Sequence, residues 1–351
     1  MKAVHITRFL ESLDGVVASD IDPPVLKDGQ VLVRVMAAGV NFVDTLYARG
    51  LHQNNRRHVQ PPFTLGLEFA GVVDDISPGA ETPFRRGDRV YGSSLGAYAE
   101  QIAVPASVLC QIPPGWSFAA AAGMAATAPV SYGALVTRGN IQAGETVLVL
   151  GAAGGLGCMA VQIAAAARCR VIAVTSTAEK CAVARRCGAD VCIDTSVIEK
   201  SSWCERVREA TPDGRGVDVV FDPVGAVGDS LKCLAHRGRI LVVGFAARDN
   251  ATLEQVAMNR VLLKQATIIG YRYGESLRRD PAENAQIWHK LEALISSKKI
   301  QPVVYDTPYH GLESVANALK DIADRRVWGK GVVRVSDDEH HDIVKPNNAK
   351  L

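Results

Sequence analysis

A strand-like run, Val147-Leu148-Val149-Leu150, leads into Gly151-Ala152-Ala153-Gly154-Gly155-Leu156-Gly157 and then into an Ala-rich helical stretch from Met159 to Ala167. No other feature narrows the possible folds as far. Glycines allow the tight turn and let the backbone approach a pyrophosphate, while the N–H groups and the positive dipole end of the next helix face its charge. A turn that only packs helix on strand is the plainer alternative, but a preceding strand and a following helix favour a dinucleotide loop. Ala153, Gly154, Gly155, Leu156 and Gly157 are the candidate diphosphate-binding residues.

The surrounding sequence repeats the pattern. Strands are predicted at 147–150, 171–175, 191–193, 217–221, 239–243 and 267–270, with apolar-periodic helices such as 156–167, 179–187 and 202–211 between them. Strict alternation of strand and helix implies a parallel, doubly wound six-stranded sheet in an α/β fold. The first 120 residues read differently, as short β runs such as Val31–Met36 and Gly71–Val73 broken by Pro and Gly turns. Two helical patterns, 282–296 and 312–325, and a last strand at 331–335 follow the sixth strand. The reading is a β-rich domain over 1–122, a dinucleotide-binding domain over 123–270, a segment 271–335 returning to the first domain, and a polar, mobile tail 336–351. A chain of 351 residues suits two domains.

The end of the second strand selects among dinucleotides. An acidic side chain there would bind the ribose hydroxyls of NAD, yet the sequence is Val174-Thr175-Ser176-Thr177-Ala178-Glu179-Lys180. Thr175, Ser176 and Lys180 offer donors and positive charge to a 2′-phosphate, so the predicted cofactor is NADP(H). Glu179 falls in the first helical turn, where an acid suits the helix dipole.

With 39 basic and 37 acidic residues and a formal charge of +2, the chain has no electrostatic footprint for nucleic acid, and a small-molecule partner is favoured. No apolar stretch reaches bilayer-spanning length and the N-terminus lacks a signal pattern, which predicts neither secretion nor a membrane span. Eight cysteines without a CxxC pair read as thiols in a reducing compartment.

Several runs resemble the medium-chain dehydrogenase/reductases. They are Ala38-Gly39-Val40-Asn41-Phe42-Val43-Asp44, Gly66-Leu67-Glu68-Phe69-Ala70-Gly71, Gly87-Asp88-Arg89-Val90 and Gly96-Ala97-Tyr98-Ala99-Glu100. Phe221-Asp222-Pro223-Val224-Gly225, the run from Gly238 to Ala246, and Asn259–Lys264 look like the quinone oxidoreductase branch, the zeta-crystallin relatives. The resemblance spans Met1 to Val335. It implies a GroES-like catalytic domain enclosing a Rossmann domain, substrate in the cleft between them, and commonly a homodimer. It further implies that Val243, Gly244 and Phe245 line the nicotinamide end and that Asn41 projects toward nicotinamide and substrate.

Zinc alcohol dehydrogenases of the same superfamily place Cys where this chain has Asn41 and His where it has Leu67, so a catalytic zinc is not expected. Without a Lewis acid the substrates should accept hydride readily, as quinones and α,β-unsaturated carbonyls do. The expected activity is a zinc-independent, NADPH-dependent quinone or alkenal reductase. An enoyl-thioester (enoyl-CoA) reductase is the nearest alternative, and an NADPH-binding protein with a structural or RNA-binding role is another. Relatives carry Tyr at the positions of Leu46 and His52, and many carry Thr at Val130, so the phenol donors are missing here. His52 is the candidate proton donor, set against a solvent-facing loop histidine, and 52–60 forms either part of a lid or a surface loop. The ending Ala349-Lys350-Leu351 is similar to the address read by peroxisomal import receptors, which in a eukaryote predicts peroxisomes or a related organelle and otherwise the cytoplasm.

Overall fold

The computed structural model of the chain describes residues 1–199, 202–246 and 255–336. The predicted tail beyond Ser336, including Ala349, Lys350 and Leu351, lies outside them. Two compact units divide the chain: residues 127–301, and residues 1–126 joined by the segment that begins at Pro302.

In the 127–301 unit the strands are β1 (Thr146–Leu150), β2 (Arg170–Thr175), β3 (Val191–Asp194), β4 (Val217–Asp222), β5 (Leu234–Val242) and β6 (Thr267–Gly270). They form one sheet in the order β3-β2-β1-β4-β5-β6, and every pairing is parallel. All five residues of β1 are buried. That accounts for its continuous apolar sequence, because a central parallel strand is covered on both faces. Leu148, Ile172, Val220, Leu231 and Ile240 anchor the core. The order reverses beside β1, which places the glycine loop at the topological switch point where doubly wound sheets bind ligands.

β5 starts at Leu234, earlier than the predicted 239, because the helix Val227–Cys233 runs into it without a loop. His236-Arg237-Gly238, with Arg237 at φ 58°, concealed that start in the sequence.

The segment returning to the first unit begins at Pro302, not 271 as the sequence suggested. The reason is packing. The helix Pro281–Ser296 buries Ile287, Leu291 and Ile295 and lies against the helix Ala128–Tyr132 of its own unit. Gln301 is pinned there as well: its N–H donates to Gln162 Oε1 (2.8 Å) and its carbonyl accepts from Gln162 Nε2 (3.0 Å).

The other unit is built on the long strand Gln30–Val40. One edge pairs with Glu68–Ile76, and the opposite edge is shared by Gly331–Arg334 along residues 37–40 and Gln101–Pro105 along residues 30–34. Arg89–Ser93 and Leu109–Gln111 extend the sheet beyond Glu68–Ile76. Val33, Val35, Phe69, Tyr98, Leu319 and Val333 belong to its core. Two glycines show how tightly it packs. A Cβ on Gly71 would lie 2.0 Å from the Arg34 carbonyl oxygen, and one on Gly66 (φ +93°) would lie 2.6 Å from the Tyr98 nitrogen.

Candidate functional site

The helix Gly155–Ala166 begins at the end of the glycine loop with Gly154 as its N-cap, and no side chain caps it. Its first-turn N–H groups are therefore left for an outside acceptor. Gly154, Gly155 and Leu156 are partly exposed while Ala152, Ala153 and Gly157 are buried, so the loop shows one backbone face and packs with the other. A Cβ on Gly157 would lie 2.2 Å from the Gly151 carbonyl oxygen, whereas one on Gly154 would meet only that oxygen, at 3.4 Å. Gly157 closes the loop on itself; Gly154 keeps its open face bare. These features fit an anionic diphosphate. Cys158, the next residue, is buried.

At the end of β2 the structure separates the three predicted residues. Ser176 is exposed, and Lys180 Nζ lies 3.4 Å from its Oγ, so a hydroxyl and an ammonium stand side by side. Thr175 does not join them. Its side chain is buried, with Oγ1 3.0 Å from Cys181 Sγ and donating to the Thr177 carbonyl at 3.3 Å. The alternation of strand side chains turns it toward the helix Ala178–Arg186. Thr177, which the sequence reading passed over, caps that helix by accepting from the Lys180 N–H.

Val243, Gly244 and Phe245 follow β5, and Phe245 is 48% exposed. Their course is set from β4: Val243 N–H donates to the Asp222 carbonyl and Ala246 N–H to the Pro223 carbonyl. The buried Asp222 carboxylate in turn accepts from the N–H groups of Val224 (2.9 Å), Gly225 (2.8 Å) and Ala226 (2.7 Å). One carboxylate thus shapes the turn on which the predicted nicotinamide-end loop rests.

The 1–126 unit contains a buried polar network around Asn41. Asn41, half-buried, is the N-cap of the helix Phe42–Ala48 in extended conformation, and its N–H donates to Asp44 Oδ2 at 2.9 Å. Tyr98 OH donates to the same oxygen at 2.6 Å. Asp44 Oδ1 is buried with no hydrogen-bond partner among the described residues. Burial raises the Asp44 pKa to about 6 against the opposing hydrogen bonds from Tyr98 and Asn41. Burial, reinforced by Asp44, also holds the Tyr98 phenol well above its ordinary range.

On the other side of Asn41, Lys330 donates to its Oδ1 and pairs with Glu68 Oε2. The Lys330 and Glu68 side chains are 4% and 0% exposed. Glu68 Oε1 accepts from the Ala126 N–H at 2.8 Å. Gly39 makes room: a Cβ there would lie 2.7 Å from Glu68 Oε2 and 2.1 Å from the Ala122 carbonyl. Sequence reasoning identified Asn41 but missed Lys330, Glu68, Asp44 and Tyr98 as its partners, although the last three stand in the quoted motifs.

His52 is half-buried at the head of a short turn. Its ring stacks on Tyr47 with centroids 4.4 Å apart and planes at 27°, and its Nδ1 accepts from the Asn54 N–H at 3.2 Å at the start of the 3₁₀ turn Gln53–Arg56. An accepting Nδ1 places the ring proton on Nε2. Tyr47 is buried and accepts from Asn54 Nδ2, so the phenol beside the missing donors is committed to this turn. An open recess lined in part by Asp14, Tyr309, Lys320, Asp321 and Arg326 contains none of the candidate residues. No helix among the described residues is long and apolar enough to cross a membrane.

Comparison with known proteins matches the alcohol dehydrogenase GroES-like domain over residues 27–114 and the zinc-binding dehydrogenase family over residues 155–292. The bovine quinone oxidoreductase-like protein 2 is 34% identical over 325 residues, which cover 90% of this chain and 87% of that one. Human quinone oxidoreductase is 29% identical over 326 residues, 92% of this chain and 94% of that one. Among solved structures, a mycobacterial protein complexed with NADPH is similar at TM-score 0.84 and 30% identity, covering 95% of this chain and 99% of that one. Escherichia coli quinone oxidoreductase complexed with NADPH is similar at TM-score 0.83 and 26% identity, covering 95% of this chain and all of that one. The chain is thus a member of the medium-chain dehydrogenase/reductase superfamily, in its quinone oxidoreductase branch.

Proposed function

We propose that this oxidoreductase reduces quinones or α,β-unsaturated carbonyls with NADPH and without zinc. The observation that carries the reading is the uncapped glycine loop at the start of Gly155–Ala166, with Ser176 and Lys180 paired at the end of the next strand. On this reading the loop amides hold the diphosphate, and Ser176 and Lys180 take the 2′-phosphate through charge-assisted hydrogen bonds. When bound, NADPH supplies the hydride, and Val243–Phe245 and Asn41 orient the reacting groups. His52 is the candidate proton donor. Both related structures solved with NADPH support the cofactor assignment.

The matched zinc-binding family description leaves the metal to be decided by the residues themselves. Asn41 presents its carbonyl oxygen to the Lys330 ammonium, and Leu67 has no donor side chain. Among the described residues no group of three or more His, Cys, Asp or Glu is placed to hold a metal. These observations support metal-free reduction. The proposal includes a homodimer, supported by the exposed edge strand β6 and the neighbouring exposed Met258, Leu262 and Leu263.

The test is NADPH oxidation against a panel of quinones, alkenals and crotonyl-CoA, repeated with NADH and after dialysis against EDTA. Turnover of quinone or alkenal with NADPH, unchanged by EDTA, is expected. Preference for NADH, loss of activity to the chelator, or turnover confined to the thioester would each overturn the corresponding part.

A further inference from the structure

A carboxamide presents an acceptor at one end and a donor at the other, and a half-turn exchanges them. Asn41 sits against an ion pair whose two charges tell those ends apart. Lys330 donates to Asn41 Oδ1, while Asn41 Nδ2 faces Glu68 Oε2 at 3.5 Å and the Gly39 carbonyl at 3.4 Å. The last two contacts are at the long limit of hydrogen bonding, so neither alone fixes the group. The charges do. A flipped amide would set its NH₂ against an ammonium and its oxygen against a carboxylate, in a place where both ions are removed from water. Glu68 is held by the Ala126 N–H, and Lys330 is held through its backbone by the Val303 carbonyl at 2.8 Å.

The pair is also a costly way to fill the space. Buried ion pairs add little or nothing over well-packed apolar side chains, so stability alone does not account for one. We propose that Lys330, paired with Glu68, is a positioning residue that locks the Asn41 carboxamide in one orientation, fixing which polar atoms it offers to substrate and nicotinamide. This rests on the reductase reading for its catalytic consequence, but the lock itself does not depend on that reading.

Two measurements keep them apart. The first is ¹⁵N-asparagine labelling and NMR, with the Asn41 side-chain signal assigned by its disappearance in Asn41→Asp. A single slowly exchanging pair of N–H signals is expected in the wild type, and an averaged or doubled pair in Lys330→Met. The second is steady-state kinetics. Lys330→Met should lower kcat for the best substrate at least tenfold while NADPH affinity stays within twofold, because the diphosphate loop belongs to the other unit. Lys330→Arg should recover most of kcat.

Leaving Glu68 buried without its partner endangers folding, so Glu68→Gln/Lys330→Met, which removes both charges, is measured in parallel. It should fold with a Tm within a few degrees of wild type and still show the fall in kcat and the averaged Asn41 signal. Wild-type kcat and an unchanged Asn41 signal in the folded double variant would overturn the proposal. A wild type without reductase activity would defeat the functional reading alone, and the NMR result would still decide the lock.

Discussion

Asp44 is a carboxyl group sealed from solvent, with two hydrogen bonds on one oxygen and, among the described residues, none on the other. Its pKa rises on folding from 3.8 to about 6, chiefly through burial. The folded state therefore binds the Asp44 proton more tightly than the unfolded state. The stabilisation is fully present below about pH 4 and is lost as pH rises through 6. About two pKa units at 1.36 kcal/mol each make this about 3 kcal/mol. Asp44→Asn, which cannot ionise, should flatten the dependence of Tm on pH between 4 and 6.5, and thermal scans of both proteins across that range check it. An identical slope in the two would contradict the assignment. Asp44 also shows where residue-level reading stops. The motif containing it was legible, but its phenol partner Tyr98 stands 54 residues away. Lys330 is a stronger case, standing 289 residues from Asn41 in a stretch with no motif of its own. The Thr175 side chain turns inward, and the reason the sequence does not show it is local: the composition at a strand end does not say which face the last side chain occupies.

Elements were more legible than residues because their signals are periodic. The glycine loop, the near-continuous apolar strands and the apolar stripe of the helix Pro281–Ser296 all appear at the expected places. Which unit that helix joins did not, since an apolar stripe says that a face is buried and not against what. The loop makes a prediction that separates folding from binding. Gly157→Ala would push a Cβ into backbone at 2.2 Å and should lower Tm by several degrees along with NADPH affinity. Gly154→Ala meets nothing closer than 3.4 Å, so Tm should hold while affinity falls about tenfold, roughly 1.4 kcal/mol, if the diphosphate approaches that face. Thermal scans and fluorescence titration with NADPH measure both. Unchanged affinity in Gly154→Ala would place the diphosphate elsewhere.

For the whole molecule, β6 is an edge strand that among the described residues pairs on one side only, with β5, beside exposed Ile268, Leu262 and Leu263. Such an edge invites pairing, and a second copy related by a two-fold axis matches it by construction. Ile268→Lys with Leu262→Glu should convert a dimer to a monomer by light scattering without changing Tm by more than a few degrees. A monomeric wild type would remove the proposed assembly. The sheet of the other unit has a different consequence. Its central strand Gln30–Val40 takes a neighbour from Gly331–Arg334, and Glu68 takes its counter-charge from Lys330. During synthesis 127–301 is completed as one unbroken stretch before Lys330 and Gly331–Arg334 are made. Until residue 334 has been translated, residues 37–40 lack their Gly331–Arg334 neighbour and Glu68 lacks its lysine, so the contacts of this unit close only after the whole of 127–301 has been made.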